Sequence, residues 1–310
     1  MQRVKTIVSR VFPSSPLSIE RVAEGGSTHV YRIVFEGETF YLRVLPEEGA
    51  SFAPEVTVHE RLRQMHIKVP EVIYFEAYNE LFQRSIMMTT EIRGEPISQS
   101  HSLSEGMIAG ILHEAGRELA TINSVTIEGF GWIRRDLLKT DELYAQWPTY
   151  RAFVLEFWES DLAYLSRNAI SRLEATQLDR VLSQHDSWLD VEQASLAHGD
   201  FGATHIYQEN GCYTGIIDFG EIRGTDRWYD LSHFHLQAGE QLSPRLEAAL
   251  IDGYKEIVSL GAEAERHISF TSLLTIVRAL ARSLQRRPPN WYTQYLLEML
   301  RKELRNCQMT

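Results

Sequence analysis

Cysteine is almost missing from this 310-residue chain. The two present, Cys212 and Cys307, cannot build a disulfide framework, and their spacing matches no zinc site. Such sparing use fits a reducing compartment, so a cytoplasmic setting is expected. Long apolar runs are lacking as well: none approaches the length needed to span a bilayer, and no membrane partner is expected. The opening MQRVKTIVSRVFPSSPLSIE carries Arg3, Lys5 and Arg10 without an uninterrupted apolar core, which is not the pattern of a secretory signal. Basic residues are outnumbered, 31 Lys and Arg against 42 Asp and Glu, for a formal charge of −11. Nucleic-acid binding usually needs a basic footprint, so no nucleic-acid partner is expected. An acidic surface would attract cationic small molecules, although most such charge serves solubility. Repeats and low-complexity tracts are also absent. What is present, 44% hydrophobic and 24% charged residues, is ordinary for a globular protein, with length enough for two domains or one bilobal unit.

The pattern of elements divides near residue 94. Within HVYRIVFEGETFYLRVL (29–45), two apolar runs flank a Glu-Gly-Glu turn, a hairpin signal that Pro46 ends. A helical stripe, Val56, His59, Leu62 and Met65, follows over 52–65, and residues 69–92 read as two more strands around an Asn-Glu turn. Gly94 and Pro96 then break the pattern. The division is 1–93, sheet-rich with one helix, and 94–310, mainly helical. Met107, Ile111, Leu112, Ala115 and Leu119 follow a Ser cap at helical spacing over 103–122. Further helices are expected near 140–166, 169–188, 228–238, 244–259, 264–285 and 290–305. The one exception is 194–220, where short strands flank Asn210-Gly211, a strong hairpin turn. A ligand would sit between the lobes, where clefts most often form. Trp158, Trp228 and Trp291 are expected in the core.

Chemistry concentrates in LAHGDFGATHIY (196–207) and TGIIDFGEIRGTDRWYDL (214–231). Both put a carboxylate at the tip of a buried apolar run. Phosphoryl transfer needs a carboxylate near the attacking hydroxyl, ligands for Mg²⁺ and a cation on the phosphates. Asp200 is suited to orient a hydroxyl and take its proton. His205 and Asp218 lie across the hairpin, so both could reach one metal; Asp218 is the hard oxygen ligand Mg²⁺ prefers, and His205 a softer one. His198 is expected to pack and bond the loop backbone. His233 and His235 stand two apart on a helix and so on different faces, either structural or lining a substrate cleft. Glu159, Asp161 and Glu240 are the acids expected to bind a cationic acceptor.

These residues carry a resemblance. HGDFGATH followed by IIDFGEIRGTDRWYDL resembles the aminoglycoside phosphotransferase family, which has a protein-kinase-like fold. The resemblance extends over nearly the whole chain, with AEGGSTHVYRI in the place of the phosphate-covering loop, FYLRV in the third strand, and IMMTTEIRGEPI in the adenine-binding linker. It implies an α+β bilobal fold, an N-terminal antiparallel sheet plus one helix, and a mainly helical C-terminal lobe carrying a catalytic β-hairpin. It implies ATP (or GTP) and Mg²⁺ as cofactors and a small-molecule hydroxyl as acceptor. Asp200 is then the catalytic carboxylate, and His205 and Asp218 the metal ligands. Arg43 is the phosphate contact steadied by Glu55, Gly25, Gly26 and Ser27 form the loop over the phosphates, and the backbone of Thr90, Glu91 and Ile92 is the adenine cradle. Asp230 in YDL is a structural acid bracing the catalytic loop, alongside His198.

Two positions depart from the family's commonest pattern. His205 stands where most members have Asn, as in the 2″-phosphotransferases, and Arg43 replaces the usual lysine, as in hygromycin phosphotransferases, whose branch EGFGW (128–132) also resembles. Guanidinium stays charged and grips phosphate in bidentate fashion, but needs more room than an ammonium. The acceptor would be an aminoglycoside or hygromycin-like antibiotic, or an amino-alcohol or sugar metabolite. A nucleotide-binding pseudoenzyme is the alternative those two departures motivate. A protein kinase fits poorly, because 218–230 is too short for an activation loop and peptide platform.

Overall fold

The computed structural model describes residues 1–22, 28–136 and 142–308, with 238–241 described as backbone only. Gly25, Gly26 and Ser27 lie outside the described residues, as does the side chain of Glu240.

The chain opens with helix α1 (Gln2–Val11), so the N-terminal part has two helices where the sequence predicts one. Val4, Ile7, Val8 and Val11 recur at helical spacing, and this stripe packs on the sheet that follows. That sheet is built from β1 (Ser18–Arg21), β2 (His29–Phe35) and β3 (Glu38–Val44). Helix α2 (Ala53–Gln64) intervenes before β4 (Val72–Asn79) and β5 (Arg84–Thr90). The five strands run in the order β1-β2-β3-β5-β4, every pair antiparallel. The expected β2–β3 hairpin is present; Glu36 (φ +51°) and Gly37 (φ +85°) are both left-handed, as a tight two-residue turn requires. Ile33, Phe40, Leu42, Val44, Ile86 and Met88 form one apolar layer under α1. The opposite side of the fold is reached by α2, whose Val58 and Leu62 join the large core of the chain beyond residue 94.

There a short strand β6 (Glu95–Pro96) leads to α3 (Glu105–Ile122), capped by Ser104, whose hydroxyl accepts from the Met107 amide at 3.4 Å. Next come β7 (Thr126–Ile127), β8 (Phe130–Ile133) and β9 (Ala145–Trp147), then α4 (Tyr150–Leu155), α5 (Trp158–Asn168) and α6 (Arg172–Gln184). The continuous helix expected over 140–166 is therefore a strand and two helices. Pro148 follows the strand, and Thr149 starts α4 by accepting the Ala152 amide at 3.1 Å. Strands β10 (Ala194–Ala197), β11 (Ile206–Glu209), β12 (Cys212–Ile216) and β13 (Arg223–Thr225) precede α7 (Tyr229–Gln241), α8 (Pro244–Ile257), α9 (Ala264–Arg286) and α10 (Trp291–Gln308). The hairpin at Asn210-Gly211 forms as expected, with φ of +54° and +79°. It is not the sole β structure of this region: β7-β10-β13-β8-β9 make a second small sheet, and β6 adds to β11. Strands of two to five residues carry too little alternation to be read beforehand.

Trp158 is buried as expected, and Trp228 is half-buried against His267. Trp291 is not in the core: it is 65% exposed. It leads α10 on the side opposite the buried stripe of Leu296, Leu300 and Leu304. Among the described residues, no helix is long and apolar enough to cross a membrane.

Candidate active site

Strand β10 ends at Ala197, and β13 returns beside it, so the loops 198–205 and 217–222 leave the same edge of the small sheets. The first loop is braced by Asp230 at the start of α7. Its Oδ1 accepts the Gly199 amide at 2.9 Å, and its Oδ2 accepts the His198 amide at 2.8 Å and Asn123 Nδ2 at 2.9 Å. Gly199 has φ +88°, and a Cβ there would lie 1.9 Å from the Glu221 carbonyl oxygen. Only glycine allows the two loops to approach this closely. His198 is fully buried, donates from Nε2 to the Ile217 carbonyl at 2.9 Å and accepts the Asp200 amide at Nδ1 (3.2 Å). With both nitrogens so used and burial followed by nearby His205 lowering its pKa, this ring is a neutral strut.

The loop thus fixed turns the half-exposed Asp200 carboxylate toward a cavity. Its Oδ1 lies 3.5 Å from His233 Nε2 and 3.5 Å from Gln237 Nε2, both on α7. His235, two residues on, faces the other way, between Glu247 of α8 at 2.5 Å and Glu303 of α10 at 3.1 Å. The two histidines indeed divide, one onto the cavity and one into helix packing.

His205 Nδ1 donates to the Asp200 carbonyl at 2.8 Å, which leaves the Nε2 lone pair facing Asp218 Oδ2 at 3.9 Å. Asp218 follows β12 in a left-handed conformation, φ +65°, unusual for a side-chain-bearing residue and common at functional turns. Burial would raise its carboxyl, but the Arg43 guanidinium foremost outweighs it and holds the group below the usual carboxylate range. Arg43 projects from near the C-terminal end of β3, with Nη2 3.4 Å from Asp218 Oδ1 and Nη1 2.8 Å from Glu55 Oε2 on α2. The expected Arg43–Glu55 pair is thus present, and it reaches Asp218.

Sequence reading missed three contributors. Arg135 donates from Nη2 to Glu55 Oε1 at 2.7 Å and to the Gly220 carbonyl at 2.5 Å, tying α2 to the loop after Asp218. Arg223 is stacked between Trp132 and Tyr229, with Cζ 4.0 Å and 4.6 Å from their ring centres, and donates to the Gly199 carbonyl at 3.3 Å. Tyr292 lies close enough that, after burial, the charge of Asp200 raises its phenol pKa. Arg135 and Tyr292 sit in no motif; Arg223 lies within the 214–231 stretch, but its partners Trp132 and Gly199 are distant in the chain.

The structure narrows the groups that the linker and the substrate acids can offer. The Thr90 amide donates to the Glu71 carbonyl at 2.9 Å and that of Glu91 to Thr39 at 3.2 Å, so neither is free to donate to a purine. The candidate contacts are then the carbonyl oxygens and the amide of Ile92. Asp161 lines the cavity, yet both its oxygens accept from Arg278 Nη1, at 3.0 and 2.9 Å. A carboxylate already neutralised in this way is no ready partner for a cationic acceptor. Glu159 is exposed in the first turn of α5.

The donor set fits Mg²⁺. Asp218 offers an anionic oxygen, and His205 has its far nitrogen bonded so that Nε2 points at the shared space, the arrangement metal-ligating histidines use. Among the described residues there is no group of three or more His, Cys, Asp or Glu that could hold a metal ion.

An antiparallel sheet with its helix, a helical part carrying paired acid loops, and a site between them define a small-molecule kinase of protein-kinase-like fold. Comparison with known proteins agrees. The profile of the phosphotransferase enzyme family (APH) matches residues 18–268, and the chain belongs to that family. An aminoglycoside 3′-phosphotransferase from Enterococcus faecalis is 23% identical over 210 residues, 66% of this chain and 73% of that protein. Among solved structures, a thermostable aminoglycoside phosphotransferase mutant in ternary complex with AMP-PNP and hygromycin B superposes with TM-score 0.72 at 17% identity, covering 99% of both chains. A candidate fructosamine-3-kinase from Thermobifida fusca follows at TM-score 0.65 and 17% identity, over 98% of this chain and 99% of that one. The chain is a small-molecule phosphotransferase.

Proposed function

We propose that this enzyme transfers the γ-phosphoryl group of ATP, or GTP, to a hydroxyl of a small molecule with the help of Mg²⁺. One observation carries the reading: Arg43, Asp218, His205 and Asp200, spread over residues 43 to 218, lie in one chain of contacts of 2.8 to 3.9 Å. That the similar structures include complexes with AMP-PNP, ADP and GDP supports a nucleotide here. Residues 1–93 and 94–310 would act as two lobes, with the nucleotide base against Thr90 to Ile92.

In this mechanism Asp200 accepts a hydrogen bond from the acceptor hydroxyl and takes its proton as the new oxygen–phosphorus bond forms and the bond to the departing diphosphate breaks. Arg43 neutralises phosphate charge, and Glu55 with Arg135 keeps its guanidinium aimed. Mg²⁺, held by Asp218 and His205, would supply further charge neutralisation on the phosphate oxygens. Asp230 and His198 hold the Asp200 loop from behind, and Arg223 braces it through the Gly199 carbonyl.

Acceptor-dependent ATP consumption over aminoglycosides, hygromycin, amino alcohols, sugars and aryl glycosides tests this reading. Asp200→Asn should lower kcat by about 10²- to 10⁴-fold, the range typical of a lost general base, with little change in ATP KM. Equal turnover by the variant would remove Asp200 from its role.

A further inference from the structure

We infer that the acceptor is an uncharged hydroxyl compound with an aromatic or alicyclic body, rather than a polycationic aminosugar; the inference rests on the phosphotransfer reading of the same site. Asp200 opens onto a cavity of about 660 Å³, the size that holds a drug-sized ligand. Beyond the carboxylate its wall is built from rings: Trp132, Trp147, Phe153, Phe157, Trp291 and Tyr292. Three of these are unusually open to solvent for large apolar side chains, Trp291 at 65%, Tyr292 at 41% and Phe157 at 39%. Exposed rings gathered at one mouth mark a binding surface rather than leftover core. The mouth is also firmly built, since Asn290 Oδ1 caps α10 by accepting the Tyr292 and Thr293 amides at 3.0 and 3.2 Å.

Charge decides against a cation. Asp161 carries Arg278, and Glu221 lies 3.4 Å from Arg223. Three of the cavity's rings already hold the protein's own guanidiniums: Arg223 lies against Trp132 and Tyr229, and Arg278 has Cζ 3.7 Å from the Phe157 ring centre. Glu156 and Arg282 add one charge of each sign. Apart from Asp200 the wall thus sets three carboxylates against three guanidiniums, so the cavity has a single uncompensated acid in a chain whose overall charge is −11. A polycation would meet three arginines across it, whereas a neutral ring finds apolar faces and an acid at the far end to take its hydroxyl.

Calorimetric titration of the whole protein with 2-naphthyl β-glucoside, methyl β-glucoside, kanamycin and choline separates the possibilities, since the two glucosides share hydroxyls and differ in the ring. The naphthyl glucoside should bind about tenfold or more tighter than each of the other three, as burial of a fused ring would give. Trp291→Ala and Tyr292→Ala should each weaken it several-fold while leaving the unfolding transition in place. Asp200→Asn should still bind it. Kanamycin or choline binding as tightly as the naphthyl glucoside overturns the inference, as does a naphthyl glucoside that binds no better than the methyl one or not at all. ATP turnover, measured separately, keeps the two readings apart. Selective binding without phosphorylation of any acceptor would sink the phosphotransfer reading alone, while turnover restricted to kanamycin would sink this one alone.

Discussion

Glu55 is a carboxylate at 1% exposure, and its surroundings explain how it stays useful. Burial raises its pKa, and the guanidiniums of Arg43 and Arg135 pull against that rise. Each arginine also touches the loop at Asp218, Arg43 through the carboxylate and Arg135 through the Gly220 carbonyl. Glu55 is therefore the joint through which helix α2 aims both the phosphate-binding cation and the metal-binding acid. Arg135→Ala should cost about 2 kcal/mol of stability, less than stranding a buried charge outright because Arg43 remains. It should also raise the KM for ATP about tenfold while an acceptor's affinity holds. Urea unfolding and steady-state kinetics check the two parts; wild-type values for both would make Arg135 a bystander. In WIRRD two arginines stand side by side with nothing to tell which turns inward, and the partner lies 80 positions earlier. Motif residues such as Asp200 and Asp218 could be read because their own loop defines their role; a residue defined by a distant partner could not.

At the scale of elements, helices α7, α8 and α10 meet at His235, whose imidazole sits between Glu247 and Glu303. Burial opposes the charged ring, but hydrogen bonds and the charges of both glutamates outweigh it and hold the pKa up to about 9. The group binds its proton more tightly folded than unfolded. Its contribution is complete below its unfolded pKa near 6.5 and is lost as pH rises through about 9, with a ceiling on the order of 3 kcal/mol. Wild type should therefore exceed His235→Gln in stability by most at pH 6, with the gap closing by pH 9.5. Urea unfolding at the two pH values reads it, and a gap independent of pH would mean the ring is neutral. The long elements, α3 and α7 to α10, were legible because the apolar stripe repeats over several turns. Helix α1 has the same stripe over ten residues, and it is the packing of Val4, Ile7 and Val8 on the first sheet that makes it part of the fold. The second sheet was illegible for a different reason: its strands are held by partners from across the chain, β10 between β7 and β13, rather than by any pattern of their own.

For the whole molecule, the claim is one of convergence. The β3 guanidinium belongs to the first sheet, the Asp200 and Asp218 loops to the small sheets beyond it, and α2 is packed into the core of the latter through Val58 and Leu62. The backbone joins the parts again where the Ile216 amide donates to the Lys68 carbonyl at 2.9 Å. Such continuity keeps the two halves of the site in register, so a nucleotide placed between them would meet all four groups together. A crystal structure of the protein with Mg²⁺ and AMP-PNP tests this most directly. The expected density has a metal bonded to Asp218 and His205, Arg43 on the phosphate oxygens, and the γ-phosphate facing Asp200 across the mouth of the aromatic cavity. A nucleotide bound elsewhere, or phosphates directed away from Asp200 with no metal on Asp218, would contradict it.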